Sequence, residues 1–167
     1  IERSGWYHEC FDTASAVKSR GPIKKEKVAA LYDAIPKLRA KNGSKQSNNL
    51  LERRRVVTLR LLEMTGGRIG ELAEVRVKDV LDTLRQKDPK LRMVTLKKGK
   101  EDERYVPVLR QDLVALKSYI RLYRARTIRK TVGAENDHGY LFVSVQTGKR
   151  LSSAYMSNEV GKLRRAA

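Results

Sequence analysis

The chain has 167 residues, enough for one domain with a buried core. Hydrophobic residues make up 40%, ordinary for a globular protein, and no apolar run nears the roughly 18 residues that a bilayer span needs. The charge excludes more: 37 Lys and Arg against 19 Asp and Glu give +18, a surface that repels itself and suits a polyanionic partner, nucleic acid first.

The first ten residues have no apolar core followed by a small-residue cleavage site, so no secretory signal is expected. The single cysteine, Cys10, excludes an internal disulfide and suits the cytoplasm. With only His8 and His138 beside it, at no metal-ligand spacing, no metal site is expected. Trp6, Tyr7 and Phe11 show no periodicity, and residues 1 to 20 read as a linker or the remnant of a preceding domain. Arg20-Gly21-Pro22 breaks regular structure and marks a boundary, with 21 to 167 as the domain proper.

From Lys24 to Ala40 the apolar positions Val28, Leu31, Tyr32, Ile35 and Leu38 predict a helix. Pro36 should end or kink it near Ile35. Residues 42–49 are a polar loop. Leu50 to Met64 predicts a second, mostly buried helix, with Arg53-Arg54-Arg55 on its wet side. Gly66 and Gly67 should stop it. Ile69, Leu72 and Val75 then form the buried face of a short third helix.

The period changes at Leu91. Leu91 to Leu96 and Arg104 to Val108 read as strands, joined by the polar residues 97 to 103 as a hairpin. Pro107 suits a strand end. Leu113, Leu116, Ile120 and Tyr123 predict another helix. Tyr140-Leu141-Phe142-Val143 reads as a third strand, and Thr147-Gly148-Lys149 as a turn. Ser152 or Ser153 can cap a final helix whose face is Met156, Val160 and Leu163. The fold class is therefore α+β, mostly α, with a small antiparallel sheet of about three strands.

Arg68 is the leading site residue. Two glycines before it permit a sharp turn and close approach of backbone to a ligand. A helix N-terminus favours an anion, and a guanidinium fork matches phosphate oxygens. Glu71 lies one turn on, where it can orient Arg68 or pair with it in an ordinary surface salt bridge.

The longer pattern decides between these. A buried helix followed by Thr65-Gly66-Gly67-Arg68-Ile69-Gly70-Glu71-Leu72, with Val75 and Asp79 beyond, resembles the first conserved box of the tyrosine recombinases, the phage integrase family. Lys97-Lys98-Gly99-Lys100 and Arg104-Tyr105-Val106-Pro107-Val108 are similar to that family's β-hairpin. Tyr140 to Val143 and Thr147 to Ser152 are similar to its later Leu-Phe stretch, glycine turn and serine-capped helix.

The resemblance implies roles. Arg68 would bind the scissile phosphate, Glu71 would support the site, and a hairpin lysine would act as general acid on the leaving 5′-oxygen. Lys98 aligns with the family's lysine-glycine turn. Lys97 and Lys100 remain alternatives, and these two with Arg104 are expected to contact DNA phosphates. The partner would be double-stranded DNA, with protomers assembling on paired sites. No metal, nucleotide or other cofactor is implied.

The family's second half, His-x-x-Arg followed by the nucleophilic tyrosine, is not found in these 167 residues. His8 and His138 lack the partner arginine. Tyr119 and Tyr123 read as packing, and Tyr155 as structural. Residues 21 to 167 are therefore expected to be the N-terminal portion of a recombinase catalytic domain, inactive by itself, with a DNA-binding domain ahead of it in the parent. The rival expectation is a non-catalytic basic DNA- or RNA-binding protein; a metal-dependent nuclease lacks evident paired carboxylates.

Overall fold

The computed structural model describes residues 25–39, 43–97 and 100–167; at 96, 97, 100 and 101 it describes backbone only. Residues 1 to 20 and Lys98 therefore lie outside the described residues.

Helix α1 (Lys25–Ala34) ends as Pro36 dictates, and Pro36–Leu38 form a single 3-10 turn. Helix α2 (Lys45–Thr65) is longer than its apolar stripe suggests. Ser44 caps it, its Oγ accepting from Ser47 N–H at 3.1 Å. At the other end Gly66 adopts φ 56°, ψ 21°, the left-handed conformation that a glycine takes most readily, and its N–H closes on Leu62 O at 2.9 Å.

Two short helices follow, α3 (Ile69–Glu74) and α4 (Val77–Arg85). A hairpin comes next, with β1 (Lys90–Lys97) antiparallel to β2 (Lys100–Pro107) in register from Lys90 opposite Pro107 to Lys97 opposite Lys100. The strands thus run further into the polar 97–103 segment than expected. Helix α5 (Arg110–Tyr119) widens into a π turn over Ile120–Arg124, where Ala125 N–H bonds to Ile120 O, and continues as α6 (Ala125–Thr131). The last helix, α7 (Ser153–Ala166), is capped by Ser152, whose Oγ accepts from Tyr155 N–H at 3.2 Å.

The main core joins α2, α3, β1, α5 and the 141–151 segment through Leu61, Leu72, Met93, Leu113, Leu116 and Phe142. A second cluster, Ala34, Ile35, Leu59 and Leu163, holds α1 and α7 against α2. Met156 and Leu163 are buried as expected, while Val160 is only half-buried. Tyr119 is buried and Tyr123 half-buried, with their rings stacked, so both pack as expected.

Two expectations are corrected. Tyr140 to Val143 is not a third strand. Its pairing is reduced to isolated bridges, Arg76 with Tyr140 and Val143 with Arg150, so the described sheet has two strands. The segment is nonetheless stitched down, Leu141 N–H to Val75 O at 2.9 Å and Leu151 N–H to Phe142 O at 3.1 Å. The second correction is the arginine run. Only Arg53 is exposed; Arg54 and Arg55 keep 4% and 6% of their surface.

Helix α2 has protein on both sides there. Arg54 donates to Val143 O at 2.9 Å and lies over the Tyr155 ring. Arg55 grips Glu159 of α7 through Nε at 3.1 Å and Nη2 at 2.9 Å, and Leu38 O through Nη1 at 2.8 Å. A buried guanidinium is tolerated because its donors are met.

Candidate phosphate-binding site

The Arg68 loop is built by its neighbours. Thr65 Oγ1 donates to Leu61 O at 2.6 Å and accepts from Gly67 N–H at 3.1 Å, folding the loop back on the end of α2. Gly67 sits so close to β1 that a Cβ there would come within 2.9 Å of both Leu72 Cδ1 and Met93 Cε. Glycine therefore lets the loop and the hairpin touch.

Arg68 itself is extended, φ −80° and ψ 151°, and stands at the N-cap of α3. Its side chain is exposed, and among the described residues no carboxylate pairs with its guanidinium. The surface salt bridge with Glu71 does not form. Glu71 instead takes the Arg68 backbone N–H at 2.8 Å, which occupies an amide that the sequence left open to an anion. Helix α3 has only six residues, so its dipole adds little positive potential at this corner beside the guanidinium.

Glu71 is the hub. It is 4% exposed. Arg104 of β2 donates to it twice, Nη2 to Oε2 at 2.8 Å and Nε to Oε1 at 3.2 Å, and Thr95 Oγ1 of β1 donates to Oε1. The Arg104 hydrogen bonds, then those of Thr95 and the Arg68 amide, hold its carboxyl down at about 2 against the opposing effect of burial. Glu71 therefore stays ionised at any physiological pH.

The structure thus brings Arg68, Glu71 and Arg104 together. Lys97 and Lys100 face each other at the far end of the hairpin, with their backbones alone described. Thr95 was missed in the sequence. Its signal was the alternation Leu91, Met93, Thr95, which places it on the inward face of β1. Arg54, Arg55 and Arg124 were missed as structural groups. Arg124, on the π turn, is 3% exposed and binds Tyr140 O at 2.7 Å and Asp137 Oδ2 at 2.7 Å. His138 is a loop residue, Nε2 lying 3.1 Å from Gly148 O.

A mostly helical domain with a small antiparallel hairpin docked on a Gly-Gly-Arg turn agrees with the fold class expected from the sequence. Residues 23–167 match the phage integrase family, and the chain belongs to that family. Its fold is similar to that of a crystal structure described as XerA recombinase, with a TM-score of 0.54 at 20% identity. That match covers 85% of this chain and 42% of the recombinase chain, so these 167 residues span less than half of it. No individual curated protein matches the chain. Among the described residues, no helix is long and apolar enough to cross a membrane.

Proposed function

We propose that the chain carries the phosphate-binding half of a DNA strand-transfer site, in residues 21 to 167 of a tyrosine recombinase catalytic domain. The observation that carries this is the contrast within one loop: the Glu71 carboxylate is fully committed, while the Arg68 guanidinium three residues earlier is exposed and unpaired among the described residues. A permanently charged fork on a rigid support is prepared for an oxyanion.

In the reaction, Arg68 binds a non-bridging oxygen of the scissile phosphate and stabilises the charge that builds up there. A tyrosine hydroxyl, supplied by residues outside this chain, loses its proton to water as its oxygen attacks phosphorus. The bond from phosphorus to the 5′-oxygen breaks, and Lys98 gives that oxygen its proton; Lys97 and Lys100 are the alternatives for this step. The product is a 3′-phosphotyrosyl ester and a free 5′-hydroxyl. A second 5′-hydroxyl reverses the step on another strand, so bond energy is conserved and no nucleotide or metal is required. Double-stranded DNA is the substrate, protomers assemble on paired sites, and the protein works in the cytoplasm.

The test is a nicked duplex that traps the covalent adduct. The parent protein should form a tyrosine adduct and Arg68→Ala should lose it by at least about 100-fold, with DNA binding largely kept. The 167-residue chain alone should form none; an adduct on it would overturn the assignment of the nucleophile. Absence of cleavage in the parent, with binding intact, favours the rival reading of a basic DNA- or RNA-binding protein.

A further inference from the structure

We infer that Arg104 is a positioning residue that locks the hairpin to the Arg68 loop through Glu71, rather than a phosphate ligand. The inference rests on the recombinase reading for its consequence, and on geometry alone for the lock.

Strand alternation comes first. In the β1–β2 register Val106 lies opposite Leu91 and Arg104 opposite Met93. Leu91 and Met93 are fully buried, so Arg104 belongs to the face of the hairpin turned towards the protein. Tyr105, on the other face, is 59% exposed. An arginine placed to meet DNA from this strand would be expected among those outward positions or at the hairpin end.

The fork comes second. Arg104 remains 44% exposed at its side chain, yet two of its three nitrogens are committed to a carboxylate that is 5% exposed. Glu71 in turn collects donors from three separate segments: Thr95 on β1, Arg104 on β2 and the Arg68 amide in the loop. Both oxygens are satisfied, and a satisfied buried network fixes one arrangement. The hairpin has no other ion pair to this loop among the described residues.

The consequence is a distance. The Lys97–Lys100 pair lies four residue steps beyond Arg104 along the hairpin, about 13 Å at ~3.3 Å per residue. The hairpin lysines are therefore carried on an arm whose root is clamped to the backbone of Arg68. A loosened root displaces the proton donor from the phosphate, and an error of about 1 Å in such a placement costs on the order of 100-fold in rate. Lysine replaces this clamp poorly, because its ammonium lacks the rigid planar fork that meets Oε1 and Oε2 together.

The experiment uses Arg104→Ala and Arg104→Lys in both the 167-residue chain and its parent, with Arg68→Ala as reference. Three readouts are taken: the salt slope of duplex DNA binding, the NMR position of the Arg68 amide with the Glu71 carboxyl titration, and single-turnover cleavage by the parent on a nicked duplex. The lock predicts that Arg104→Lys keeps the salt slope, moves the Arg68 amide, raises the Glu71 midpoint and lowers cleavage about 100-fold at saturating DNA. A phosphate ligand predicts the reverse: Arg104→Lys keeps cleavage and leaves the Arg68 amide unmoved, and Arg104→Ala lowers the slope by about one, as Arg68→Ala does. That set of results overturns the inference. If Arg104→Ala fails to fold, Arg104→Lys still decides. If the parent cuts no DNA at all, the recombinase reading fails, while the amide, titration and slope still judge the lock.

Discussion

The chain writes nearly the same four-residue motif twice, Arg68-Ile69-Gly70-Glu71 and Arg76-Val77-Lys78-Asp79, and uses the two copies differently. Each arginine is extended and opens a helix. Each backbone N–H is taken by the carboxylate three residues on, at 2.8 Å for Glu71 and 3.1 Å for Asp79. Beyond the backbone they part. Arg76 lies over the Tyr140 ring at 4.4 Å and donates to its hydroxyl at 3.1 Å, so its charge is spent on packing. Arg68 meets no ring and no carboxylate among the described residues. Asp79 has only a distant arginine, Arg92 at 3.8 Å, whereas Glu71 sits at the centre of three segments. Local sequence sets the turn; the neighbours decide whether the arginine is structural or available.

Replacing the acid of each copy gives the largest contrast. Glu71→Ala removes a hub that serves three segments and should cost about 3 kcal/mol, the scale for breaking a buried charge pair. Asp79→Ala should cost about 1 kcal/mol, the scale of a helix cap. Urea unfolding of the two variants measures both, and equal losses would erase the distinction.

The acid limb is next. The Glu71 carboxyl titrates at about 2 in the folded chain against an ordinary 4.5. A depressed carboxylate contributes stability that is complete above about 4.5 and is lost as pH falls towards 2. Urea midpoints followed from pH 5 to 2 should therefore fall, and Glu71→Gln should flatten that fall relative to wild type.

The arginines give the smallest effect. Arg76→Ala should lose about 1 kcal/mol with its ring contact and hydrogen bond. Arg68→Ala should stay within about 0.5 kcal/mol, since no fold interaction of its side chain is removed. Thermal melts of the pair test whether Arg68 is held in reserve for a ligand; a larger loss at Arg68 than at Arg76 would argue against it.

Much of this was legible in the sequence because it is local. Pro36 ends α1, Gly66 ends α2, and Ser152 caps α7, each through backbone chemistry carried by one or two residues. The Arg68 box stood out because its glycines, arginine and acid lie within six consecutive residues. The partner of Glu71 was only half legible: alternation turns Thr95 and Arg104 inward, but nothing in the chain order brings them to residue 71. Arg55 was not legible at all. Its carboxylate, Glu159, lies 104 positions away, and a run of three arginines reads as a wet face until a second helix covers it. The missing third strand has the same cause. Tyr140 to Val143 has a strand's composition, but its neighbours Arg76 and Arg150 offer one bridge each.

The π turn at Ile120–Arg124 gives the α5–α6 rod one residue more than an α-helix of the same length would hold. Deleting one residue there would let the widened turn close to an ordinary α-helical one. Arg124 stands in that turn, so its hold on Tyr140 O and Asp137 is the contact such a deletion would put at stake.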